Sequence, residues 1–73
     1  GNSDIDTLLD EYENYVIQYN DYKERISDGD ITVIAEAPGL LEKVKETKNK
    51  IEHSKIEMTP EQIARMSAII GNL

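Results

Sequence analysis

Ile5-Asp6-Thr7-Leu8-Leu9-Asp10-Glu11-Tyr12-Glu13-Asn14-Tyr15-Val16-Ile17-Gln18-Tyr19-Asn20-Asp21-Tyr22-Lys23-Glu24-Arg25-Ile26 is the stretch whose reading decides the fold. Its tyrosines, at 12, 15, 19 and 22, are the only aromatic residues in the chain. With Ile5, Leu8 and Ile26 they make a row advancing by alternate steps of three and four. That spacing puts every member on one side of an α-helix, whereas a strand would need steps of two. A long amphipathic helix is therefore expected over residues 4–27. Tyrosine fills a core position with its ring and carries its hydroxyl to the polar margin, so the row predicts a narrow, half-wet seam. A stacking surface for a sugar or peptide is the competing reading. Aromatics at this spacing usually form core, and core is the reading adopted.

Outward from this helix, Ser3 or Asp4 can cap its start, and Asp4 and Asp6 suit the positive end of its dipole. Asp28-Gly29-Asp30 reads as a stop and a start. Gly29 can take the left-handed conformation that closes one helix, and Asp30 can cap the next. So short a link makes the flanking helices antiparallel neighbours. Pro38 removes a backbone donor and disfavours helix at Ala37, so a break or kink is expected there. Residues 31–37 then either form a short separate helix folded back on the hairpin or the kinked first turns of a long one.

Beyond Gly39 the apolar stripe runs Leu40, Leu41, Val44, Thr47, Ile51, Lys55, Met58. Glu46 with Lys50 and Lys48 with Glu52 are at ion-pair spacing on its outer face. Thr59-Pro60-Glu61-Gln62 is a cap, a proline at the first helical position, an acid and a capping-box glutamine. Met58 and Ile63 flank it as a hydrophobic staple. Ile63, Met66, Ile70 and Leu73 are expected on the inward face of this third helix, with Ala64 and Ala68 allowing close approach. The expected architecture is all-α: a three-helix bundle made of a long antiparallel hairpin and a short third helix. One domain spans residues 1–73, and Gly1 reads as a residue left by cloning.

Lengths then pose a problem. The first helix should span about 36 Å and the third about 20 Å, at 1.5 Å per residue. The third starts at the end of the hairpin farthest from Gly29 and covers that half. The turn end, with Tyr19, Tyr22, Ile26, Ile31, Val33, Ile34 and Leu40, lacks such a cover, and Tyr22, Ile26, Val33, Ile34 and Leu40 are its candidate interaction surface. An apolar patch of this kind on a small domain marks a partner or self-association surface unless the segment before Pro38 folds over it.

Charge narrows the function classes. The chain has 73 residues and a net charge of −7. Nine acids against Lys23 and Arg25 fall within residues 1–30, while residues 31–73 hold six of each sign. No basic face is available for nucleic-acid phosphates or anionic lipid headgroups. Without cysteine there is no disulfide and no thiolate metal site. No apolar run approaches the roughly 20 residues of a membrane span.

Chemistry-bearing candidates are few. His53 is the only histidine and sits beside Glu52 and Lys55 on a polar face. Asp6, Asp10 and Glu13 share a helix face and could hold a divalent cation weakly. Asp28-Gly29-Asp30-Ile31 opens like a calcium loop, but the later acids are replaced by Ile34 and Gly39. No nucleophile triad or phosphate loop is present. No catalytic residue, cofactor site or metal site is expected.

Leu9-Asp10-Glu11-Tyr12-Glu13-Asn14-Tyr15-Val16, Asp28-Gly29-Asp30 and Met58-Thr59-Pro60-Glu61-Gln62-Ile63-Ala64-Arg65 together resemble short uncharacterised lipoprotein-type helical proteins of Bacteroides-like gut bacteria. The likeness covers nearly the whole chain in the same order. It implies a mature helical part following a lipidated cysteine upstream, and a location in the cell envelope. It brings no activity and no site residues, and Pro38 departs from its uninterrupted second helix. The expected function is thus a non-enzymatic cell-envelope interaction or structural module, with a protein partner or its own copy as ligand. Contact with a membrane would come only through a lipid outside this sequence. The alternative is a cytosolic acidic inhibitor or decoy, whose first helix imitates nucleic-acid phosphates for a basic partner.

Overall fold

The computed structural model describes residues 2–73, which form three α-helices and two single-turn 3-10 segments. Helix α1 runs Asn2–Ser27, α2 Ala37–His53 and α3 Pro60–Gly71, with 3-10 turns at Ile31–Val33 and Lys55–Glu57. The all-α three-helix bundle expected from the pattern is what forms, with α1 packed against both α2 and α3. It is elongated, with extents of 42 × 18 × 14 Å. Helix α1 begins earlier than expected, so Ser3 and Asp4 lie inside it and its cap falls outside the described residues.

The first turn follows its local chemistry. Gly29 has φ of 94°, a left-handed conformation that costs a glycine little. The Gly29 amide donates to the Ile26 carbonyl and the Asp30 amide to the Arg25 carbonyl, at 3.1 and 2.8 Å. These two bonds use carbonyls that the end of α1 would otherwise leave unsatisfied. The Asp30 carboxylate then accepts from the Thr32 amide and hydroxyl, capping the 3-10 turn. Those bonds hold its pKa below the ordinary aspartate value.

Pro38 is the second residue of α2 and does not kink it, and Ala37, where the proline was expected to disfavour helix, is the first helical residue. Pro38 occupies the first turn of the helix, where its missing N–H costs nothing. Residues 31–33 accordingly form a separate turn, folded against α1 with Val33 buried. At its other end α2 stops at His53, so Lys55 and Met58 are not helical members of its stripe. Met58 is still buried, carried inward by the extended backbone that precedes Thr59. The expected Glu46–Lys50 and Lys48–Glu52 ion pairs are not among those formed by the described residues, and such surface pairs contribute little.

Helix α3 starts as its sequence dictates. The Gln62 amide donates to the Thr59 hydroxyl at 3.2 Å, and the Thr59 amide donates to Gln62 Oε1 at 2.9 Å. Along α3, Gln62 meets Asp6, Arg65 meets Asp10, the Asn72 carbonyl meets Asn20 and the Leu73 carbonyl meets Lys23. Partner numbers rise together, so α3 runs parallel to α1 and antiparallel to α2. Its end reaches Lys23, past the half of the hairpin that length alone predicted, because the Asn20 and Lys23 side chains bridge the remaining distance.

The core sits where the three helices meet. It comprises Ile5, Leu9, Tyr12, Val16, Val44, Ile51, Met58 and Ile69, with Leu8, Tyr15, Tyr19 and Met66 packed against it. The row Ile5-Leu9-Tyr12-Val16 faces the centre, rotated from the expected Ile5-Leu8-Tyr12-Tyr15 row. Two helices lie against α1, so its buried face is wider than a hairpin seam and the remaining tyrosines occupy its margin. On α3 the inward residues are Gln62 and Ile69, while Ile63 and Ile70 are 45 % and 38 % exposed. Ala64, Ala68 and Leu73 are exposed too, so the expected inward face of α3 is corrected by a rotation toward Gln62.

Candidate interaction surfaces

The five residues proposed from sequence at the turn end do not share one environment. Val33 and Leu40 are buried, Tyr22 is half-buried, and Ile26 and Ile34 are 39 % and 48 % exposed. One turn of 3-10 helix can place only one side chain inward, and here it is Val33, leaving Ile31 73 % exposed. The Tyr22 hydroxyl donates to the Glu36 carboxylate across a long 3.4 Å. Ile26 and Ile34 instead join Tyr19, Ala37, Pro38 and Leu41 around a shallow groove of about 320 Å³. Tyr19 was expected at this end from sequence, whereas Ala37, Pro38 and Leu41 were missed as its walls. The signal was Leu41, adjacent to the buried Leu40 and therefore turned about 100° away from it on the helix.

A second groove, about 230 Å³, opens between the end of α2 and α3 and is walled by Met58, Ile63, Met66 and Ile70. The staple residues Met58 and Ile63 thus border the same groove, Met58 from the core and Ile63 from an exposed flank. Glu52 and Lys55 stand on its α2 side and Ser67 on its α3 side. Nothing in the sequence distinguished this flank from an inward face, since Ile63 and Ile69 both fit a helical repeat.

The opposite flank of α3 is polar. Gln62 Nε2 donates to Asp6 at 3.0 Å, and Arg65 Nη2 meets Asp10 at 2.6 Å and Glu13 at 3.6 Å. The hydrogen bond to Asp10 and the neighbouring acids raise the Arg65 pKa further above its ordinary value. The three carboxylates whose spacing suits a weak cation site are therefore engaged by α3. Among the described residues no group of three His, Cys, Asp or Glu side chains is placed to hold a metal ion. His53 is exposed, with Nδ1 2.7 Å from the Asn49 carbonyl, a helix-end contact.

Tyr12 is the one tyrosine wholly buried, and its hydroxyl has no hydrogen-bond partner within the protein. Burial, and secondarily the charge of Glu52, raise its pKa above the ordinary tyrosine value. The other three rings are half-buried along α1, and Lys23 sits 5.4 Å from the Tyr19 ring centroid in a cation–π contact. Tyr12 is thus core and Tyr15 and Tyr19 pack against it, while Tyr19 also borders the turn-end groove. No described helix is long and apolar enough to cross a membrane. Compared with family models, curated proteins and solved structures, the chain matches none of them.

Proposed function

We propose that this protein is a non-enzymatic interaction or structural module of the cell envelope. In this reading it is tethered by a lipid on a cysteine upstream of the helical part. The observation that supports an interaction role is the turn-end groove. Ile26 and Ile34 stay exposed beside Tyr19, Pro38 and Leu41 although the adjacent 3-10 turn folds back onto α1. Exposed apolar grooves on small domains serve as contact surfaces. An apolar side chain of a partner protein fits its size and its lack of charge. The envelope location rests on the resemblance carried by residues 9–16, 28–30 and 58–65.

The acidic decoy is the second reading, and the concentration of charge on α1 favours it. Against it, Asp6, Asp10 and Glu13 are held by α3 and Asp21 is paired with Arg25 at 3.1 Å. Carboxylates already paired within the molecule offer less to a basic partner.

The test is to express the native reading frame in its own host and follow incorporation of a labelled fatty acid. Incorporation that depends on a single upstream cysteine, with the protein fractionating with membranes, supports the envelope module. An unlabelled protein in the cytosolic fraction contradicts it. Salt-sensitive capture by a basic protein, lost when acids on α1 are changed to amides, would then favour the decoy.

A further inference from the structure

We infer that the α2–α3 flank is a two-fold interface between copies of this chain, a contact separate from the turn-end groove. Three observations converge on a second copy as the occupant.

The first is shape. Ile63 and Ile70 are seven residues apart on α3, project on its outer flank, and border a groove also walled by Met58 and Met66. One surface therefore carries both the projections and the hollow. An antiparallel two-fold centred near Ser67 sets Ile70 of each copy into the groove of the other, so a single patch satisfies both sides. Ser67, midway between the isoleucines, is small enough to let the two helices approach closely.

The second is charge. Each molecule carries −7, all of it within residues 1–30, so a contact that brought two copies of α1 together would be repelled. Helix α3 has only Glu61 and Arg65, no charge from Met66 to Leu73, and its Arg65 is turned onto α1. Contact through the opposite flank keeps the two acidic helices on the far sides of the pair. The third lies at the rim, where Glu52 and Lys55 stand on the same side of the groove. An acid and a base together are self-complementary under a two-fold, whereas a partner with one sign of charge would meet a like charge.

The test measures solution mass by sedimentation equilibrium across concentration, with helicity and unfolding followed for each variant. The native chain should rise from 8.3 kDa toward twice that mass. Ile70→Glu should remain at the monomer mass while staying helical and unfolding cooperatively. Ile63→Glu should do the same if Ile70→Glu folds poorly. Ile34→Glu, at the other groove, should associate as the native chain does. Because the chain has no cysteine, Ser67→Cys reports the geometry directly. Near a two-fold its thiols can reach the few ångströms a disulfide needs and should link on mild oxidation, while Gln18→Cys should not. A native chain that stays monomeric up to roughly 1 mM, a range that still detects weak pairing, overturns the inference. So does a dimer that survives both α3 substitutions, or one that is lost in Ile34→Glu instead.

Discussion

The Thr59 end and the Gly29 end of the molecule contain similar residues that are covered to different extents: Ile56 and Ile63 are exposed at the first, and Val33 and Leu40 are buried at the second. At the Thr59 end Ile5, Leu9, Tyr12, Ile51 and Met58 are buried. Three helices meet there, and the loop into α3 is closed by a reciprocal capping box. At the Gly29 end Ile26, Ile31 and Ile34 are just as apolar, yet all three are exposed. Only two helices and a single 3-10 turn are present there. Hydrophobicity sets which residues could be core, and the number of covering elements decides which of them are. The difference lies in how many elements cover each end.

The contrast can be broken first at its strongest point. Tyr12→Ala removes a fully buried ring at the three-helix junction and should cost about 3–5 kcal/mol, which can unfold a domain of this size. Chemical denaturation measures it. A cost below about 1 kcal/mol, the range of ordinary surface or mild changes, would mean that the junction is not the core. Next comes the cap. Thr59→Ala removes an oxygen that satisfies the Gln62 amide and should cost about 1 kcal/mol. The same substitution at Thr32, on the thinly covered end, should cost less in a parallel measurement.

A subtler pair concerns the Tyr12 hydroxyl. It is buried without a protein partner, so Tyr12→Phe should be neutral or stabilising by up to about 1 kcal/mol. A clear loss would reveal a partner for the hydroxyl. The raised pKa gives this pair a pH signature. A folded-state value above the unfolded one, near 10, contributes stability that is fully present below it. That stability is lost as pH rises through the folded value. Unfolding measured above pH 10 should therefore show the native chain declining more steeply than Tyr12→Phe, and parallel curves would contradict the burial of that hydroxyl.

Much of this arrangement was legible in the residues. The stop at Gly29 and the capping box at Thr59 depend on chemistry within a few positions, and each forms as its sequence implies, whereas the break expected at Pro38 falls before Ala37 and the proline sits inside the first turn of α2. The rotation of the helices was not legible. Along α1, Ile5-Leu8-Tyr12-Tyr15 and Ile5-Leu9-Tyr12-Val16 are both helical rows, and the tyrosines drew attention to the first. The position of α3 selects the second, and that position is a tertiary fact. Helix α3 repeats the lesson, since Ile63 and Ile69 are equally apolar and the acids of α1, through Gln62 and Arg65, turn Ile69 inward. The turn-end surface was half legible for the same reason. Its apolar content was plain, but whether Val33 or Ile34 faced inward depended on a single turn with no periodicity of its own.

The most direct test of the contrast is the unfolding free energy of Ile34→Glu, taken at a fixed low concentration. If the turn end is an uncovered contact surface, a charge at a half-exposed position should change stability by less than about 0.5 kcal/mol. A loss of about 2 kcal/mol or more, the mark of a buried unpaired charge, would show that Ile34 belongs to the core and that this end of the molecule is closed.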